Sequence, residues 1–366
     1  MAQQASRKIV FEVRGLLMTK LAEQLLATTS FDDAWQLCVG EHATHRSIAW
    51  RYVEEMTRGM DGFGEMASVP LEKWPLMSIS AFRERLMSIT DTPDMIFRSS
   101  GTSSSVSSQH AMGSLALYHR ASIEGFMTHY REAFLHGARF IGYVPGYIDN
   151  PASSLLSMMG AIVSELEDVA TMISTPQELQ ITLQEDASSP VVLFGAAFGL
   201  VDFVDGIEEG MSIGGAGEST KGHAPMRLPQ GSIIIETGGM KTHRRELSRD
   251  VMHHHLSEGF GVPRSQIHSE YGMCEMTSQA YSMDGVWFTP TRLARFVVKD
   301  VNHPLQATPH GSVGRLGVMD AGNINSCPWF LTDDLAIQRE DGAIQVLGRR
   351  EKSVARGCNY MVDVDG

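Results

Sequence analysis

Between Leu115 and Phe260 the chain alternates short apolar runs that stop at glycine with longer stretches of helical spacing. Leu115 to Phe134 reads as a helix. Phe140 to Val144 is a short apolar strand closed by Pro145-Gly146, and Ser153 to Leu166 is helical again. Pro190 to Phe194 ends at Gly195, and Phe198 to Val204 resumes a helix. Ile233 to Ile235 ends in Thr237-Gly238-Gly239, and Arg244 to Phe260 completes the series. This strand–glycine–helix alternation predicts an α/β fold with a largely parallel sheet. In such folds ligands sit at the carboxyl ends of the strands.

The flanks follow other patterns. Residues 1–95 read as a helical N-terminal region: Leu16 to Leu26 has apolar residues at helical spacing. Ser30 with Asp33 forms a capping signal before a second helix running from Asp32 towards Met56. Pro70 and Pro75 punctuate the connection to Ile79 and Phe82. From Arg295 the pattern becomes short strands and turns: Phe296–Lys299, Gly314–Met319, Ala336–Arg339 and Ile344–Leu347, with a hairpin signal at Asp341-Gly342. The expected division is 1–95, an α/β core at 96–294, a β-rich subdomain at 295–347 and a tail at 348–366. Gly206 to Pro229, which contains GGAGESTKGHAP, reads as a polar surface loop.

The formal net charge of −13 repels phosphate backbones and argues against general nucleic-acid binding. No run of about 18 apolar residues is present, so no membrane span is expected. MAQQASRKIVFEVRG lacks the apolar core of a secretory signal. Four cysteines are too sparse for a disulfide scaffold, and a cytoplasmic setting with reduced thiols is the expectation.

Five segments can carry chemistry. Ser99-Ser100-Gly101-Thr102-Ser103-Ser104-Ser105 follows the apolar Met95-Ile96-Phe97, offering backbone N–H groups and hydroxyls to an anion. It lacks the GK[ST] ending of a Walker A loop, and taken alone it reads first as a plain Ser-rich turn. Glu236-Thr237-Gly238-Gly239-Met240-Lys241 lets backbone approach a flat or charged ligand, or makes a tight strand-to-helix connection. His268-Ser269-Glu270-Tyr271-Gly272-Met273-Cys274-Glu275 gathers an imidazole, two carboxylates, a phenol and a thiol. Glu275 suits Mg²⁺, which takes one or two carboxylates plus substrate phosphate. Thr332-Asp333-Asp334-Leu335 can receive ribose hydroxyls or form a turn. Gly348-Arg349-Arg350-Glu351-Lys352 precedes Arg356-Gly357-Cys358. An arginine there can reach a phosphate. Basic neighbours favour the Cys358 thiolate, although a buried, inert thiol fits too. His253-His254-His255 is no metal site, because consecutive helical residues point in different directions.

In this order, SSGT, ETGGMK, HSEYGMCE, TDD and GRREKSVARGC resemble the adenylate-forming superfamily of acyl and aryl ligases. The nearer resemblance is to its short branch, the acyl-protein synthetases of bacterial luminescence (LuxE type). It is carried also by Pro75-Leu76-Met77-Ser78-Ile79, Val144-Pro145-Gly146-Tyr147, Ser278-Gln279-Ala280-Tyr281 and Asn323-Ile324 with Ser326-Cys327. It covers roughly residues 70 to 362.

The resemblance implies a large adenylating N-terminal domain with mainly parallel sheets, a small β-rich subdomain and no mobile C-terminal domain. It implies ATP- and Mg²⁺-dependent activation of a carboxylic acid, with a fatty acid as the family expectation. The acyl group would pass to a thiol. A reductase is the acyl-accepting partner suggested by analogy. Ser99, Ser100, Gly101, Thr102 and Ser103 match the phosphate loop, and Gly238, Gly239 and Met240 the adenine wall. Tyr271 would stack on adenine and Glu275 would bind Mg²⁺. Asp334 would hold the ribose hydroxyls, Arg349 the ribose or α-phosphate, and Cys358 the acyl group. Three departures stand out. Ser104 and Ser105 replace the usual glycine, and Cys274 replaces the usual threonine. The lysine of the further domain in larger members would need Lys241 or Lys352 as substitute. Acyl transfer to coenzyme A, a carrier protein or an amine is one alternative. A non-catalytic nucleotide- or acyl-binding module is another.

Overall fold

The computed structural model describes residues 20–58, 69–99, 106–145, 150–208, 227–238 and 247–350. In chain order the first elements are α1 (residues 20–27), α2 (Phe31–Thr44), α3 (Ile48–Met56), β1 (Met77–Ser78), α4 (Ala81–Glu84), β2 (Met95–Arg98) and β3 (Gln109–Met112). Next come α5 (Leu115–Leu135), β4 (Arg139–Tyr143), α6 (Ser154–Leu166), β5 (Ala170–Ile173), α7 (Pro176–Glu185), β6 (Val191–Ala196), α8 (Ala197–Glu208), β7 (Ile233–Thr237) and α9 (Arg249–Phe260). The last are β8 (Ile267–Tyr271), β9 (Ala280–Ser282), β10 (Thr289–Pro290), β11 (Ala294–Lys299), β12 (Val313–Asp320), β13 (Trp329–Gln338) and β14 (Ile344–Arg349). They form two compact units, one drawn from Met95–Ser107 and Ser114–Thr291, the other from Met1–Asp94, Ser108–Gly113 and Arg292–Gly366.

In the first unit seven of the described strands form one sheet in the order β10-β9-β8-β7-β6-β4-β5. Its centre is parallel, as the alternation predicts: β5, β4, β6, β7 and β8 run the same way. Only β9 and β10 run against their neighbours. Every residue of β6 is buried, because helices cover both faces of a parallel sheet. Ile141, Leu193, Ile234 and Ile267 from the strands pack with Leu200 and Leu256 from α8 and α9.

Serine and threonine caps set where the helices begin, their side-chain oxygens accepting first-turn N–H groups. Ser114 caps α5, Ser153 caps α6, and Thr175 with Glu178 builds a capping box on α7 with Pro176 in its first turn. Helix α9 starts at Arg249, later than the periodicity from Arg244 suggests, because Ser248 is extended and accepts from Val251 N. The single helix expected from Asp32 to Met56 is two helices. Ser47 accepts from Trp50 N at 3.0 Å and starts α3. Its hydroxyl also lies 2.7 Å from His42 Nδ1, fixing the break to α2.

In the second unit β11, β12, β13 and β14 form an antiparallel meander, and β1 adds parallel to β13 with Met77 beside Phe330. Part of the N-terminal region therefore shares a sheet with the β-rich segment. Trp35, Trp74 and Trp329 meet with ring centroids 5.0–5.7 Å apart. The turn before β14 contains Gly342 at φ +86°, a left-handed conformation that suits glycine. Among the described residues no helix is long and apolar enough to cross a membrane.

Candidate functional site

Side chains alternate across a sheet, so the carboxyl ends of β7 and β8 present two different faces. Glu236 pairs in register with Ser269, and Thr237 with Glu270. On the α9 face Glu236 is 2% exposed, with its Oε1 3.3 Å from His253 Nε2 and 3.5 Å from Arg249 Nε. Ser269 Oγ lies 3.2 Å from the same His253 nitrogen. A carboxylate, an imidazole and a hydroxyl here share Nε2, whereas a serine-hydrolase relay needs the carboxylate on the opposite ring nitrogen. The cluster ties α9 to the sheet. His255 points elsewhere, with Nε2 2.7 Å from Asp205 Oδ1, so the histidine run serves separate contacts.

On the α5 face the Thr237 hydroxyl donates to the buried Glu270 carboxylate. Burial chiefly pushes the Glu270 acid up to about 7; Glu236 adds to this and the Thr237 bond opposes it. Tyr118, Tyr130 and Tyr281 surround it, and its charge, after burial, raises each of their pKa values. Sequence reading noted Glu270 among the acids of its segment without giving it a role. The signal was its register with Thr237, which only strand pairing reveals.

Tyr271 ends β8 half-buried on the α9 side, its ring edge-on to Phe288 at 5.9 Å. The Arg249 guanidinium lies over the same Phe288 ring at 5.0 Å. Beyond Tyr271 the backbone turns, with Met276 N donating to Met273 O at 3.0 Å, and this places Cys274 and Glu275 in the turn. Glu275 is buried and Cys274 half-buried. Gly238 leaves β7 exposed at φ +73°, with no described atom within 4 Å of where a Cβ would stand. Gly238, Tyr271 and Glu275 thus belong to two strand ends that are neighbours in one sheet.

Asp334 and Arg349 belong to the other unit. They are register partners on β13 and β14, with Asp334 Oδ1 3.8 Å from Arg349 Nε. Next to them Arg315 binds Thr332 O through Nε at 3.1 Å and reaches Asp333 Oδ1 at 3.2 Å. Sequence reading passed over Arg315, although a basic residue one strand away from paired acids was the available cue.

Ser99 follows β2 and is half-buried. Ser100, Gly101, Thr102 and Ser103 lie outside the described residues, as do Gly239, Met240, Lys241, Glu351, Lys352 and Cys358. Among the described residues no three His, Cys, Asp or Glu side chains are grouped to hold a metal. A single buried carboxylate, Glu275, fits Mg²⁺ only in the form in which phosphate oxygens and water supply most ligands. The side-chain-free backbone at Gly238 fits the approach of a flat ring to the strand end.

Residues 221–364 match the acyl-protein synthetase LuxE family. A sequence search of curated proteins returned no match. Among solved structures, 2-hydroxyisobutyryl-CoA ligase in an open conformation with 2-HIB-AMP and CoA gives a TM-score of 0.59 at 13% identity, over 88% of this chain and 76% of that one. The same ligase in its postadenylation state with 2-HIB-AMP gives 0.59 at 15% identity, over 90% and 67%. ATP-bound MatB from Rhodopseudomonas palustris gives 0.47 at 13% identity, over 72% and 50%. The chain spans about half the length of several structures it matches. Its fold is the α/β fold of adenylate-forming ligases.

Proposed function

We propose that this protein uses ATP to activate a carboxylic acid as an acyl-adenylate and then passes the acyl group to a thiol. The observation that carries the reading is the LuxE family match over residues 221–364, which takes in Gly238, Tyr271, Glu275, Asp334, Arg349 and Cys358. In the first half-reaction a carboxylate oxygen of the acid bonds to the α-phosphorus of ATP. The bond from that phosphorus to the bridging oxygen breaks, and pyrophosphate leaves. In the second, a thiolate attacks the acyl carbon, a thioester forms and AMP leaves.

The chain's own residues take the following parts. Tyr271 and the backbone from Gly238 to Met240 hold the adenine, and Asp334 accepts from the ribose hydroxyls. Arg349 and the segment from Ser99 to Ser103 supply donors to phosphate oxygens as charge moves onto them. Glu275 holds Mg²⁺, which when bound neutralises charge on the phosphates. Cys358 is the proposed acyl-carrying thiol, with a reductase-type protein as onward acceptor. A fatty acid is the proposed substrate class. We place the reaction in the cytoplasm.

The test is pyrophosphate release with ATP and Mg²⁺ across fatty, aromatic and short carboxylic acids, with Glu275→Ala beside the wild type. Release that depends on one acid class and on Glu275 is the expected result. ATP binding without release from any acid would sink the reading in favour of a binding module. Radiolabelled acid then locates the thioester. Loss of label in Cys358→Ser with adenylation intact is expected, whereas label retained in that variant points to another acceptor.

A further inference from the structure

Thr237 and Glu270 stand where β7 and β8 end, one residue before Gly238 and one before Tyr271. Their hydrogen bond is therefore a tie between the two strand ends assigned above to the nucleotide. Glu270 is 6% exposed, and a Cβ on Gly272 would collide with its Oε1. The carboxyl group thus lies directly under the backbone that begins the turn to Glu275, and any change in its size or charge meets that backbone.

Among the described residues the groups facing Glu270 are neutral. From β7 it is Thr237, from α5 Tyr118 and Tyr130, and from β9 Tyr281, while the Glu236 carboxylate acts from the other face of β7. His268, two residues back on the same face of β8, is 3.3 Å from the Tyr130 hydroxyl and is held neutral by burial, its pKa lowered to about 4. Arg249 lies by Glu236, on the opposite face of the sheet. The Tyr281 hydroxyl is buried with no hydrogen-bond partner. Among the described residues no cation faces this carboxylate, and burial, with a smaller contribution from the Glu236 charge, makes its neutral form the one these surroundings accommodate.

We propose that Glu270 is a positioning residue: its neutral form holds the Tyr271–Glu275 turn against the end of β7, and its ionisation loosens the protein's grip on a nucleotide. The role rests on the adenylation reading, since it acts through Tyr271 and Glu275. Ionisation places a desolvated charge directly beneath the backbone at Gly272, and relief of that burial loosens the turn where it meets the ligand. Burial sets the midpoint of this change near pH 7.

The experiment is ATP binding by calorimetry from pH 5.5 to 8.5, on the full chain, for wild type, Glu270→Gln, Thr237→Val and Thr237→Ser. Glu270→Gln keeps the shape of the neutral acid and cannot ionise. The ratio of wild-type to Glu270→Gln affinity cancels the titration of the nucleotide's own phosphates. That ratio is expected to be near one at pH 5.5 and to fall by about tenfold by pH 8.5. Thr237→Val removes the bond that lowers the Glu270 pKa and moves the fall to higher pH, and Thr237→Ser restores it. Melting without nucleotide gives a second readout. Because the folded pKa lies above the usual value of 4.5, wild type loses stability relative to Glu270→Gln as pH rises from 4.5 through 7. A flat affinity ratio with measurable ATP binding overturns the positioning role alone. No ATP binding by any variant at any pH overturns the adenylation reading and the role together.

Discussion

Asp334 Oδ1 lies 3.8 Å from Arg349 Nε across the register pair that joins β13 to β14. The Arg349 side chain is 64% exposed, so solvent screens the attraction and the pair adds little to stability. An arginine kept at a strand end for a ligand should show that separation of roles. Arg349→Ala is expected to change unfolding free energy by less than about 0.5 kcal/mol. It is expected to lower the acid-dependent pyrophosphate release by about a hundredfold in kcat/KM. Equal rates in both proteins would remove Arg349 from the proposed site.

His253 is 1% exposed and is shared by Glu236 and Ser269, beneath a turn in which Gly285 has φ +72°. Removing the ring leaves Glu236 buried with Arg249 3.5 Å away. His253→Ala should therefore cost about 2–3 kcal/mol in urea unfolding. A Cβ on Gly285 would collide with the His253 ring. Gly285→Ala is expected to destabilise both through that collision and through its positive φ. In the double variant the collision disappears while the backbone strain stays. A double-mutant cycle should then show favourable coupling of about 1 kcal/mol, and strict additivity would refute the contact.

Asn325 is 4% exposed and uses its whole amide. Its Oδ1 accepts from Thr90 N at 3.0 Å, and its Nδ2 donates to Ser88 Oγ at 3.0 Å and Ala111 O at 3.1 Å. Asn325→Ala strands a half-buried backbone N–H and a buried carbonyl, so a loss of about 2 kcal/mol is expected. Asn325→Asp replaces both donors with an acceptor facing the Ala111 carbonyl and should be worse. Chemical unfolding ranks the two variants, and an aspartate variant as stable as wild type would contradict the bonding pattern.

Burial holds His42 neutral, its pKa lowered to about 3, with its ring against Trp329. The unfolded chain takes up the proton near pH 6.5, while the folded protein resists it until about pH 3. The folded pKa is depressed, so stability present above pH 6.5 is lost as pH falls towards 3. Each unit of pH in that window removes up to about 1.4 kcal/mol through this one group. His268, lowered to about 4, adds a second loss over part of the range. Urea midpoints from pH 7 to pH 4.5 should fall steeply in wild type and less steeply in His42→Gln. Parallel slopes would mean that His42 is not the group being protonated.

The parallel centre of the large sheet was legible because an apolar run ending at glycine, followed by helical spacing, has few other solutions. Serine and threonine at the caps marked several helix starts for the same local reason. The break between α2 and α3 was less visible, since it depends on the Ser47 hydroxyl reaching both Trp50 N and His42. Pairing of Met77 with Phe330 joins segments about 250 residues apart, and no local pattern encodes that choice.

For the site, residue types and order determined by themselves which side chains are candidates: Tyr271, Glu275, Asp334 and Arg349 stand out by type and spacing. Tertiary structure alone decided their surroundings. Glu236 and Thr237 are neighbours in sequence, yet one faces His253 and the other Glu270, because a pleated strand sends successive side chains to opposite faces. Whether a carboxyl group is an ordinary acid or one poised near neutrality depends on what buries it and which charges lie across the next strand. Those neighbours, from Tyr118 to Tyr281, are brought together only by the packing of α5 against the sheet.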